Sequence, residues 1–119
     1  TLPEEEEKMA KERINRINEE LHREIAGIVR ELKDTRIPVM TSVVGVSVTN
    51  DLSYAKVYVS VMGNDEVQKN ALAGLRSAAG FVRREVGRRV QIRHTPEILF
   101  ELDHSIEHGA HINDILKKL

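Results

Sequence analysis

Residues 11 to 33 place Ile14, Ile17, Leu21, Ile25, Ile28 and Leu32 three or four positions apart, with Glu, Lys, Arg and Asn between them. An apolar stripe on that period predicts an amphipathic helix. Lys33-Asp34-Thr35-Arg36-Ile37-Pro38 should stop it, because a proline disfavours helical backbone at the residue before it and Asp and Thr favour turns. The pattern then changes period. Val43 to Thr49 is rich in β-branched residues, and residues 54 to 62 alternate, with Ala55, Val57, Val59 and Val61 on one face and Tyr54, Lys56, Tyr58 and Ser60 on the other. Two strands with one buried face are expected. Asn50-Asp51-Leu52-Ser53 supplies turn chemistry between them, so the pair reads as an antiparallel hairpin. Gly63-Asn64-Asp65 ends it, and Asn64 or Asp65 can cap the next helix by accepting an otherwise unpaired N–H.

From Val67, the apolar positions Ala71, Leu72, Leu75, Ala78, Val82, Val86 and Val90 keep helical spacing through Ala78-Ala79-Gly80. A glycine is about 1 kcal/mol worse than alanine inside a helix, and among small neighbours it permits a bend. The expectation is helix, kink, helix, with a β-branched residue at position 80 disturbing the kink. Gln91 to Leu102 reads as a third strand, Ile98, Phe100 and Leu102 sharing a face and Pro96 marking an edge or bulge. Residues 104 to 118 read as a closing helix. The layout is α+β, helices packed on one face of a three-stranded sheet. The strand positions Tyr54, Lys56, Tyr58, Glu97 and Glu101 are left toward water.

Length and composition narrow the class. A chain of 119 residues, 40% hydrophobic and 31% charged, fits one domain. Having no Cys, it lacks disulfides and thiol chemistry, which fits a reducing compartment. No run of about 18 apolar residues suggests a membrane span. The opening Thr1-Leu2-Pro3 and the acidic Glu4 to Glu7 are unlike a signal peptide, so a cytoplasmic protein is expected. Residues 1–10 read as a flexible acidic segment and residues 11–119 as the domain, closing helix included. The net charge of −1 hides a basic block: Arg76, Arg83, Arg84, Arg88, Arg89 and Arg93 stand against the single acid Glu85.

A basic helix running into a basic strand suits phosphate, since arginine grips phosphate oxygens in pairs and each neutralised phosphate releases counterions. Arg84 and Arg88, with Arg76 or Arg83, fall near one stripe; the plainer alternative is a solvated helix face. With two Tyr and two Phe, an aromatic platform for bases is not expected, and recognition by backbone and shape would dominate. The Ala78 to Gly80 element is either close packing or a kink that lets an RNA backbone approach a helix N-terminus, where free N–H groups attract phosphate. His104, His108 and His111 at i, i+4 and i+7 offer a rival, a metal on one helical face, which Gly109 within the stretch argues against. The carboxylates Asp51, Glu97, Glu101 and Asp103 have no catalytic histidine placed by a motif, and no glycine-rich phosphate loop occurs, so neither an enzyme nor a bound cofactor is expected.

Several runs together resemble one family. Met40-Thr41-Ser42-Val43-Val44-Gly45-Val46, then Asp51-Leu52-Ser53-Tyr54-Ala55-Lys56-Val57-Tyr58-Val59, then Ala78-Ala79-Gly80-Phe81-Val82-Arg83 are similar to ribosome-binding factor A. So are Lys33 to Arg36 and Pro96 to Phe100, and the order holds over roughly residues 11 to 116. The resemblance implies a type II KH-like fold, order α-β-β-α-kink-α-β, in which Ala78-x-Gly80 replaces the usual Gly-x-x-Gly loop. It further implies a monomer that binds the small ribosomal subunit and its ribosomal RNA in late assembly, with roles in maturing the RNA 5′ end and in cold adaptation. The arginines named above would carry RNA binding, helped by Lys56. A protein-interaction module and a histidine metal protein are the alternatives.

Overall fold

The computed structural model describes residues 3–103. Helix α1 spans Pro3–Glu31, strands β1 and β2 span Ser42–Val48 and Tyr54–Ser60, helices α2 and α3 span Asp65–Ser77 and Ala79–Arg89, and β3 spans Glu97–Leu102. The expected closing helix and the three histidines at 104, 108 and 111 lie outside the described residues. Helix α1 starts at Pro3, so the acidic residues expected as a flexible extension form its first turns. Proline suits a first helical position and acids suit the positive end of the helix dipole.

The strands form one sheet in the order β1-β2-β3. β1 and β2 pair antiparallel, with a bulge between Val43 and Gly45 that leaves Val44 without a partner. The turn between them is held by Asp51, whose carboxylate accepts from Thr49 Oγ1 at 2.8 Å and from the Ser53 N–H at 3.1 Å. Those bonds lower its pKa, the Thr49 hydroxyl contributing most. β3 pairs parallel with β2, Tyr54 opposite Glu97 and Val59 opposite Leu102. A parallel neighbour needs a long crossover, which α2 and α3 supply. The third strand is shorter than expected: Gln91 to Thr95 is irregular, and Pro96 is buried just before β3.

The core lies between the helices and one sheet face. Leu21, Ile25 and Ile28 of α1, Leu75 of α2, Val82 and Val86 of α3, Ala55, Val57 and Val59 of β2, and Ile98 and Phe100 of β3 are all buried. Two side chains one turn apart tie α1 to β1: Asn18 Oδ1 accepts from the Val48 N–H at 2.9 Å, and His22 Nε2 donates to the Val43 carbonyl at 3.0 Å. The loop after α1 is clasped by Asp34, which accepts from the Arg36 guanidinium at 2.7 Å and from the Arg36 N–H at 2.9 Å. It lies close on α2 at Gly74: a Cβ there would meet Ile37 Cγ1 at 3.0 Å and Arg36 Cβ at 3.3 Å, so the loop would have to give by a few tenths of an ångström.

Candidate nucleic-acid interface

Helix α2 begins with a side-chain cap, Asn64 Oδ1 accepting from the Val67 N–H at 2.9 Å. Its end is where the expected kink occurs, the break falling on Ala78, the first residue of the Ala78-x-Gly80 element. Ala78 sits at φ −88° and ψ −2°, its N–H donates to Gly74 and Leu75 carbonyls at 3.1 and 3.0 Å, and α3 resumes at Ala79. Gly80 falls in the first turn of α3, exposed, with nothing within 4 Å of where its Cβ would be. A Cβ at position 80 would meet no neighbour there. The glycine leaves a bare strip of backbone on the surface.

The first turn of α3 has neither a capping side chain nor an acidic residue. No side chain therefore neutralises its N–H end, which stands in a setting with Arg76 at the end of α2 and Arg83 and Arg84 in α3. Val82 and Val86 point into the core, which turns Arg84 and Arg88, one turn apart, to the opposite side. Arg84 makes no ion pair or hydrogen bond among the described residues. Arg88 reaches Glu85 at 3.4 Å while its side chain stays 79% exposed.

The other arginines divide by partner. Arg83 donates to the Thr95 carbonyl at 3.2 Å and fastens α3 to the segment before β3. Arg89 bridges Glu31 of α1 and Glu85 at 3.3 and 3.5 Å, which makes it a tie between helices. Arg93 is exposed and lines a groove against α1. Lys56 is on the sheet face turned away from the helices, and its β3 neighbour Leu99 is flanked by Glu97 and Glu101 on that side. The structure does not bring Lys56 to the arginines of α3.

One residue was overlooked by counting aromatics. Phe81, beside Gly80 and one turn before Arg84, is 45% exposed. Its break from the apolar pattern Ala78, Val82, Val86 was the available signal. Among the described residues no group of three or more His, Asp or Glu could hold a metal ion, and no helix is long and apolar enough to cross a membrane.

Comparison with known proteins places the chain in a family. The profile of the family described as ribosome-binding factor A matches residues 13–116. The chain belongs to the ribosome-binding factor A family. It is 57% identical over 112 residues to ribosome-binding factor A of Clostridium novyi, covering 93% of each chain. It is 60% identical over 108 residues to that of Acetivibrio thermocellus, covering 90% of this chain and 88% of the relative. Among solved structures it is similar to the crystal structure of ribosome-binding factor A from Thermus thermophilus, with a TM-score of 0.70, 26% identity and coverage of 77% of this chain and 97% of that one. A second Thermus thermophilus neighbour, with a TM-score of 0.61, 28% identity and coverage of 72% and 90%, is a homology model fitted into a cryo-EM map of a complex of the 30S particle with ribosome-binding factor A.

Proposed function

We propose that this protein is a cytoplasmic, monomeric, non-enzymatic assembly factor. It binds the free small ribosomal subunit through its ribosomal RNA during late maturation, including that of the RNA 5′ end and in the cold. Family membership, together with the neighbour fitted into a 30S complex, supports the subunit as partner. The single observation that carries the RNA reading is the start of α3: an uncapped helix end without acids, a bare backbone strip at Gly80, and Arg84 and Arg88 on the side away from the core. A phosphate backbone can meet the free N–H groups there while the two guanidinium groups take neighbouring phosphates. A stoichiometric binder needs no reacting group, because it shifts an RNA equilibrium by its differential affinity for two RNA states. Its surface therefore has to fit one RNA conformation better than another.

The deciding experiment is co-sedimentation of the purified protein with isolated small subunits and with complete ribosomes over a salt series. Binding to free small subunits that weakens steeply with salt is the expected result. Salt-insensitive binding would mean a protein partner on the subunit, and no binding to either particle would overturn the assembly-factor reading.

A further inference from the structure

On the far side of α3 from the kink, the chain leaves the helix at Val90 and runs back beside α1, forming a groove of about 430 Å³. That size is within the range of small-ligand sites. Ile17, Leu52 and Ile92 give it an apolar floor, and Arg13, Arg16 and Arg93 stand around it. These three arginines make no ion pair or hydrogen bond among the described residues. Leu52 has φ +61°, the left-handed region that a leucine adopts only at a cost. Strain of this kind persists where surrounding structure enforces it, and it gathers at binding sites. Here it holds an apolar side chain at the groove.

We propose that this groove is a nucleotide subsite: one unpaired nucleotide of the bound RNA lies with its base against Ile17, Leu52 and Ile92, and Arg13, Arg16 and Arg93 take its base edge and adjoining phosphates. The proposal rests on the RNA-binding reading above and extends it from the first turn of α3 to the segment after its last. Guanidinium planes and apolar side chains both accept the flat face of a base, so the scarcity of aromatic residues is no obstacle. Glu12 and Glu20 also line the groove. They repel phosphate from their part of α1 but can accept exocyclic amino N–H groups, a mixture that fits a base better than an acidic peptide. The neighbouring groove on the other side of Leu52 has a different balance: Lys11 and Arg13 stand against Glu7 and Asp51, and neither Arg16 nor Arg93 reaches it.

The absence of cysteine allows a site-specific test on the full chain. Gln91→Cys, at the groove, Ser77→Cys, beside the kink, and Ser47→Cys, on the open sheet face, would each carry an azidophenacyl photocrosslinker and be irradiated on small subunits. Crosslinks to RNA are expected from positions 91 and 77 and none from 47. In parallel, Arg13→Gln with Arg93→Gln should weaken subunit binding about tenfold and lower the salt slope by about 2, as the loss of two phosphate contacts requires. RNA crosslinks from 77 alone, or from 91 to ribosomal protein only, would overturn the subsite and leave the RNA reading standing. No RNA crosslink from 77 or 91 would overturn both. Unchanged affinity and slope in the double variant would also remove the subsite, because exposed Arg13 and Arg93 have no internal role whose loss could mask the effect.

Discussion

Six arginines of one short stretch do different work because of what lies within reach of each guanidinium. Arg89 is satisfied by Glu31 and Glu85, and Arg83 by the Thr95 carbonyl, while Arg84 and Arg93 meet no partner among the described residues. Sequence alone marks all six as basic and cannot sort them, since Glu31 is far away along the chain and a backbone carbonyl has no residue signature. The loop before β1 shows the same dependence on partners. Hydrogen bonds from the Arg36 side chain, then its backbone N–H, lower the Asp34 pKa from 3.8 to about 2, and Asp34 in turn raises that of Arg36. A depressed carboxylate contributes its stabilisation in full above its ordinary range and loses it as pH falls toward the folded value. The clasp should therefore be intact at neutral pH and open between about pH 4 and 2. An NMR titration should place the Asp34 midpoint near 2, returning toward 3.8 in Arg36→Ala; an unchanged midpoint in that variant would show that Arg36 is not the cause. Thr41 is a second case, buried with an Oγ1 that has no hydrogen-bond partner in the described structure. A buried hydroxyl without a partner is penalised by about 1–3 kcal/mol. Thr41→Val should accordingly raise stability, by about 1 kcal/mol in urea unfolding; a loss of stability would mean that the hydroxyl is satisfied in solution.

At the scale of elements, apolar periodicity named the helices and strands well, because a helix or a half-buried strand must repeat its buried positions on its own period. The buried residues Ile17, Leu21, Ile25 and Ile28 of α1 and Ala55, Val57 and Val59 of β2 were all readable in this way. Boundaries were less legible. The first turns of α1 are exposed, so no apolar position there announces a helix, and within the Ala78 to Gly80 element nothing local said that the break falls on Ala78. The Asn64 cap was visible, and Asn64→Ala should lower stability by about 1 kcal/mol without altering subunit affinity. Gly80→Ala separates the two meanings of that glycine. With open space around its Cβ, alanine should stabilise α3 by up to about 1 kcal/mol, while weakening subunit binding if an RNA backbone lies on the bare strip. A variant both more stable and fully competent in binding would assign Gly80 to neither role.

For the whole molecule, function depends on which charged surfaces share a side. The double variant Arg84→Glu with Arg88→Glu should reduce small-subunit affinity and flatten the salt dependence by about one unit of slope per lost phosphate contact; a wild-type slope would take α3 out of the interface. Lys56, by contrast, points away from that side, and Lys56→Glu should change affinity little. Local sequence was enough to determine the element types, the hairpin and its turn, and the cap on α2, because each depends on residues close together in the chain, and the family followed from several such runs kept in order along it. Only tertiary structure decided that β3 runs parallel beside β2, that Lys56 and Arg84 face opposite ways, that Arg83 and Arg89 are ties, and that Leu52, Ile92 and Arg13 enclose one groove. Those results depend on distant segments meeting, and pairing across a sheet or between helices is fixed by packing the common core rather than by any single stretch of chain.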